Sequence, residues 1–282
     1  MAILNKKWFF SITIVIVIFL LLTFNRKNVS LREISKGTEF CFGQDLELPQ
    51  PFLVKDPYII GGVIATKCPW MVKLGQGVLC GGCLISPNWI LSASHCGINL
   101  GSIAILGAQN FTILEPNQQR IEIKEIIRHP KFGIGPLTTL PNDIMLLKLS
   151  RPAKINDNVY PICLPNNWNV AGRNLIVYGW GNTAPSEKVH ISPNLLQVTV
   201  READQCKYQI NSQSQICTTA SNSPLQTTCF GDSGGPLVLN EFNKNFVVGL
   251  VSWGAQGTCE NYTVFTRVSY HIDWIKNVTG LF

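Results

Sequence analysis

The chain has 282 residues, 46% hydrophobic and 14% charged, against roughly 25% charged in an average soluble domain, which excludes a disordered chain and a coiled coil. The formal net charge is +6, and residues 59–282 carry only +4 of it, too mild a balance for a nucleic-acid binder. Ten cysteines, an even number, point to disulfides and an oxidising compartment rather than to a reduced cytosolic enzyme.

Trp8 to Phe24 is an uncharged run of 17 residues between Lys6-Lys7 and Arg26-Lys27. As a helix it would cover roughly 26 Å, short for a bilayer but workable when the flanking cations snorkel. A cleaved signal has a shorter apolar stretch and a small-residue cleavage site, whereas this run ends Leu22-Thr23-Phe24-Asn25. Residues 1–28 are therefore expected to be a retained type II signal anchor, with a cleaved signal and secretion as the alternative. The cysteines place the C-terminal bulk on the lumenal or extracellular side. Residues 29–58 contain Pro49, Pro51 and Pro57 and no sustained period, as a stalk or propeptide would.

From Ile59 onward short apolar runs recur between Gly, Pro and Asn clusters. Ile121-Glu122-Ile123-Lys124 and Leu196-Gln197-Val198-Thr199-Val200 alternate, and Val247 to Val251 reads as a buried strand. One helix is expected, at the tail, where Ile272, Ile275 and Val278 recur at helical spacing behind Ser269 as a cap. Residues 59–282 thus form an all-β domain built of packed barrels or sandwiches.

Three segments carry chemistry: Ser92-Ala93-Ser94-His95-Cys96, Asn142-Asp143-Ile144-Met145-Leu146-Leu147 and Gly231-Asp232-Ser233-Gly234-Gly235-Pro236. A serine hydroxyl is a poor nucleophile until an imidazole takes its proton, and the imidazole needs a carboxylate to fix its tautomer. Ser233, His95 and Asp143 suit those three roles. Gly231 to Gly235 also satisfies the G-x-S-x-G elbow, but that fold needs an acid and then a histidine after the serine. Only 49 residues follow Ser233, with His271 and Asp273 together in the terminal helix. The order His, Asp, Ser rejects the elbow.

With Ile59-Ile60-Gly61-Gly62, Cys80-Gly81-Gly82, Cys163-Leu164-Pro165, Tyr178-Gly179-Trp180-Gly181 and Ser252-Trp253-Gly254 in the same order, residues 59–282 resemble the chymotrypsin-like, or trypsin-fold, serine proteases. The resemblance implies two packed six-stranded antiparallel barrels with a C-terminal helix, and peptide-bond hydrolysis through an acyl-enzyme. It implies an oxyanion hole from the N–H groups of Gly231 and Ser233, and support of Asp143 by Ser252. It pairs Cys80 with Cys96, Cys206 with Cys217, Cys229 with Cys259, and Cys41 with Cys163, the last resembling the link that ties a cleaved propeptide to the catalytic domain. Cys68 and Cys83 lie outside the family's common bridges, and a hairpin over residues 70–82 could bring them together as a fifth. By the same resemblance, cleavage between Tyr58 and Ile59 frees an amino terminus that pairs with Asp232. The implied partners are a protein or peptide substrate, an activating protease and a serpin or other protease inhibitor.

The sequence departs from the family pattern in three places. Six residues before the nucleophile, where trypsin-like members carry aspartate, stands Thr227, so a basic substrate side chain would lose its buried charge partner. The specificity pocket is expected to comprise Thr227, Thr228, Ser252, Trp253, Gly254 and Thr263, with Gly254 leaving the entrance open and Thr263 narrowing the interior. Thr263 to Val268 resembles elastase-type members, which favours small or medium apolar side chains, with chymotryptic residues next. Second, Ile59 follows Asp56-Pro57-Tyr58, not Arg or Lys, which predicts a latent precursor that trypsin-type activators do not cut. Third, the positions matching the family's calcium ligands hold Ala108 and Gln118, leaving chiefly Glu115, so no metal or other cofactor is expected.

His129, His190 and His271 have no ligand spacing and are expected in packing or surface roles. Asn110, Asn261 and Asn277 head N-x-Thr sequons, the expected glycan acceptors. The opposing functional reading is a catalytically silent protease-like binding protein that never acquires the Ile59 ammonium.

Overall fold

The computed structural model describes Cys41 and residues 62–66, 68–75, 79–134, 139–183, 190–221, 228–254 and 262–281. The expected anchor, most of the propeptide, Tyr58, Ile59, Thr227, Cys259 and Asn261 lie outside these residues. Among the described residues no helix is long and apolar enough to cross a membrane.

Among the described residues, thirteen strands and a C-terminal helix make an all-β architecture of two six-stranded antiparallel barrels. The first barrel comprises β2 (Met71–Leu74), β3 (Cys80–Ser86), β4 (Trp89–Ser92), β5 (Ile103–Leu106), β6 (Gln119–Arg128) and β7 (Met145–Leu149), closed in the order β2-β3-β4-β7-β6-β5. Alternation sets the inside of β6: Ile121 and Ile123 are buried while Glu122 and Lys124 face solvent. Their neighbours inside include Val72, Leu74, Leu84, Ile90, Leu106 and Leu147.

The second barrel comprises β8 (Leu175–Gly179), β9 (Leu196–Glu202), β10 (Gln215–Ala220), β11 (Pro236–Glu241), β12 (Lys244–Gly254) and β13 (Tyr262–Arg267). Pairing of β8 with both β9 and β11 closes the ring, and β1 (Val63–Ile64) adds to β9 from outside it. Leu196, Val198 and Val200 line its core with Leu237, Val248 and Phe265. The expected buried strand, Val247 to Val251, is the middle of β12.

The tail forms a 3-10 turn, Val268–His271, that runs straight into helix α1 (Ile272–Thr279). Ser269 therefore does not cap the helix: the cap position is His271, with no side-chain cap hydrogen bond, because the preceding turn already winds the chain. Gly280, at φ 65°, ends α1 with its N–H on Lys276 O.

Bridges join Cys41 to Cys163, Cys80 to Cys96 and Cys206 to Cys217. Cys229 is also disulfide-bonded. A fifth bridge is absent: Cys68 and Cys83 are free thiols. The β2–β3 hairpin forms as expected, but its register sets Cys83 opposite Met71, and the Cys68 thiol shares a hydrogen bond with the Tyr178 side chain instead. Burial holds both thiols well above their ordinary value, so neither is a ready nucleophile.

Candidate active site

The three chemistry-bearing segments meet at the seam between the barrels. His95 lies in a 3-10 turn, Ser94–Cys96, directly after β4 and stapled to β3 by the Cys80–Cys96 bridge. Asp143 lies just before β7 and is fully buried. Its Oδ1 accepts the His95 backbone N–H at 2.9 Å, and its Oδ2 lies 2.6 Å from His95 Nδ1. Ser94 Oγ donates to Ile144 O at 2.6 Å, locking the two segments side by side.

The second barrel completes the acid's environment. Ser252 Oγ donates to Asp143 Oδ2 at 2.5 Å, and Thr266 Oγ1 donates to Asp143 O at 2.8 Å. The register of β12 against β13 explains Ser252: Val251 pairs with Phe265 and Trp253 with Val264, so Ser252 is the extra residue of a bulge, which turns its side chain out of the ladder and onto the carboxylate. Charge-assisted bonds of this length are the strong ones, and a carboxylate withdrawn from water needs them. Thr266 was not foreseen. Its only signal in the sequence is a hydroxyl in a strand that buries both faces.

Ser233 is placed by backbone contacts. Gly81 N–H donates to Ser233 O at 2.7 Å, and Gly234 N–H donates to Val251 O at 2.8 Å, tying the loop to both barrels. Gly234 has φ 73°, and a Cβ there would come within 2.7 Å of Gly81 O and 3.1 Å of Ala93 N, two residues before His95. Only glycine permits that approach, which holds the serine loop against the histidine turn. Ser233 is half-buried, and among the described residues no hydrogen bond links its hydroxyl to His95. The backbone N–H groups of Gly231 and Ser233 are engaged by no hydrogen bond among the described residues.

Asp232 points inward and is buried, its two oxygens accepting the N–H groups of Gly181 and Cys229 at 2.9 Å each. Its carboxylate fills the space beside Gly179 and Gly181 that side chains would otherwise take. Burial pushes the Asp232 carboxyl up to about 6, only partly offset by those two donors.

Of the expected pocket, Ser252, Trp253 and Gly254 form the end of β12, and Gly254 pairs directly with Thr263 of β13. Thr263 and Thr228 are both buried, their hydroxyl oxygens 2.7 Å apart. This pairing places Thr263 inside, facing Thr228, with one hydroxyl satisfying the other.

The Glu115 carboxylate closes its loop on the chain itself, accepting the N–H groups of Gln109 at 2.6 Å and Asn110 at 3.2 Å. The Asn110 amide donates to Asn194 Oδ1, and Asn277 is exposed on α1. Two of the three other histidines meet despite their distance in sequence: the His129 and His271 rings lie 5.0 Å apart, edge to face. Burial first, and His129 second, pull His271 down to about 4, so this is a packed neutral pair at ordinary pH. His190 Nδ1 lies 2.9 Å from Thr183 Oγ1.

A family model described as Trypsin matches residues 59–275. The chain is similar to trypsin of Sus scrofa, 37% identical over 231 residues, covering 78% of this chain and 95% of that protein. It is similar to serine protease 1 of Rattus norvegicus, 36% identical over 234 residues, covering 80% and 91%. Vitamin K-dependent protein C of Oryctolagus cuniculus is 33% identical over 255 residues, covering 83% of this chain and 55% of that one.

Proposed function

Since this chain belongs to the trypsin family of serine proteases and is a serine endopeptidase, we propose that His95, Asp143 and Ser233 are its catalytic triad and that its specificity is non-tryptic. The observation that carries the assignment is the buried Asp143, whose Oδ2 receives both the His95 ring and the Ser252 hydroxyl. With Nδ1 held by the acid, Nε2 is the imidazole nitrogen left to take the Ser233 proton. The serine oxygen then attacks the scissile carbonyl, and the N–H groups of Gly231 and Ser233 stabilise the oxyanion. His95 returns the proton to the leaving amine, and water hydrolyses the acyl-enzyme by the same relay.

The hydroxyl pair of Thr228 and Thr263 supports a shallow, uncharged pocket. It suits small or medium apolar side chains, with larger chymotryptic ones next, and Thr227 in place of aspartate removes the partner a basic head would need. The reading further includes a lumenal or extracellular domain held by a type II anchor over residues 1–28, with a stalk or propeptide over 29–58, and glycans at Asn110, Asn261 and Asn277. A serpin-type inhibitor would meet the same cleft.

The protein is made as a zymogen on this reading. The raised Asp232 carboxyl supports it, because a buried carboxylate with no cation against it among the described residues is costly to ionise, and a new Ile59 ammonium would offset that cost. The activator must accept Tyr58. One observation favours a second reading, a silent binding protein: Tyr58, not Arg or Lys, stands directly before Ile59, so common activators leave that bond uncut.

The test is a chain with an enterokinase site inserted before Ile59, cleaved and treated with a fluorophosphonate. Labelling of Ser233 that is lost in His95→Ala is expected, and a peptide library on the same material is expected to select apolar residues. A confirmed free Ile59 with no label would establish the silent reading.

A further inference from the structure

The cleft walled by Trp168, Asn169, Arg173, Glu241 and Phe242 is not accounted for by catalysis. Arg173 and Glu241 form an ion pair in it. Trp168 lies on Phe246 with ring centroids 4.4 Å apart and meets Phe242 edge-on at 6.3 Å. Phe242 is the anomaly. It is 63% exposed, and with Asn243 it forms the two-residue tip of the β11–β12 hairpin, at φ 52° and 58°. Such turns favour Asn, Asp and Gly; a bulky aromatic there strains the backbone, and at this exposure it regains little by burial. A residue that suits neither turn nor core points to a partner outside both.

The chain brings one. Cys41 is bonded to Cys163, whose backbone is woven into β12: Cys163 N–H donates to Asn245 O, and Val247 N–H donates to Cys163 O, each at 3.0 Å. Cys41 and Trp168 pack against the same core cluster. The residues that follow are Phe42-Gly43-Gln44-Asp45-Leu46-Glu47-Leu48, an aromatic next to the tether and then two carboxylates. The Arg173 side chain remains 43% exposed beside its partner. A tether of this kind gives an effective concentration of about millimolar, enough to populate a contact that separate molecules would rarely make.

We propose that residues 42–48 dock in this cleft, the Phe42 ring entering beside Trp168 and Phe242 and the acidic pair facing Arg173. The disulfide holds the segment to the domain; the cleft gives it one place there. The stretch that continues to Ile59 then starts from a defined point on the second barrel.

Placing the photo-crosslinker p-benzoylphenylalanine at position 42 of the full-length chain, and mapping the products by mass spectrometry, tests this. Intrachain products with peptides containing Trp168 or Phe242 are expected. Phe242→Asn suits the turn and leaves the fold intact, and it should lower that yield about fivefold. Products elsewhere on the chain, with detergent or lipid, between two chains, or none at all overturn the proposal, as does a yield indifferent to Phe242→Asn. Catalysis does not enter the readout, so a silent protein tests it equally well.

Discussion

Asp143 takes four hydrogen bonds from three residues, His95, Ser252 and Thr266, and each residue is a separate handle on the site. Removing one hydroxyl donor leaves a buried carboxylate under-solvated and the His95 ring less firmly oriented. A hydrogen bond to a charged group contributes about 1.5–3 kcal/mol, so Ser252→Ala should lower kcat of the activated enzyme about tenfold or more with little change in KM, as steady-state kinetics would show. Asp232 gives a pH signature. Its carboxyl binds a proton more tightly folded, at about 6, than unfolded, so it stabilises the uncut chain below pH 4 and that stabilisation is lost as pH rises to 6. The shift is worth about 3 kcal/mol. Denaturant titrations of the uncut chain should show this decline and Asp232→Asn should flatten it, whereas pairing with a free Ile59 amino group should reverse it.

At the scale of elements, β2 carries an unusual burden. Lys73 is 4% exposed, its ammonium donating to Leu74 O at 3.0 Å and lying 5.5 Å from the centre of the Phe111 ring. Burial pulls it down to about 8, so the buried charge costs stability in full below pH 8, and that cost is relieved as pH goes from 8 to about 10.5, against the opposing loss that the buried Cys68 and Cys83 thiols bring above about pH 9. Lys73→Met should stabilise the protein at pH 7 by about 3 kcal/mol, seen as a higher Tm whose margin over the parent protein shrinks as pH rises from 8 to about 10.5. Strands such as β6 and β9 were legible because period-2 alternation is local. Ser252 could be assigned to Asp143 only through resemblance, since a bulge depends on the register of a partner strand 13 residues away in sequence. The His129–His271 contact and the Thr228–Thr263 pair were hidden for the same reason: the sequence names the residues, and only the closure of the barrels sets them side by side. The Ser269 cap failed because local spacing does not distinguish a cap from a preceding 3-10 turn.

At the scale of the molecule, the bridges decide what cleavage does. Cys41 and Cys163 are 122 residues apart and stand on opposite sides of the bond before Ile59. A chain cut there should migrate as one species on a non-reducing gel and as two after reduction, while Cys163→Ser should give two in both. Both barrels are needed for the acid alone: Asp143 precedes β7 of the first, and its hydroxyl donors Ser252 and Thr266 belong to the second. Dividing the polypeptide between Cys163 and Asn174 would give one piece with a carboxylate and no hydroxyl donors, and another with the hydroxyl donors and nothing to receive them. Neither piece is a weakened enzyme. Function would return only when the two recombine, so recovery of hydrolysis on mixing would report their assembly.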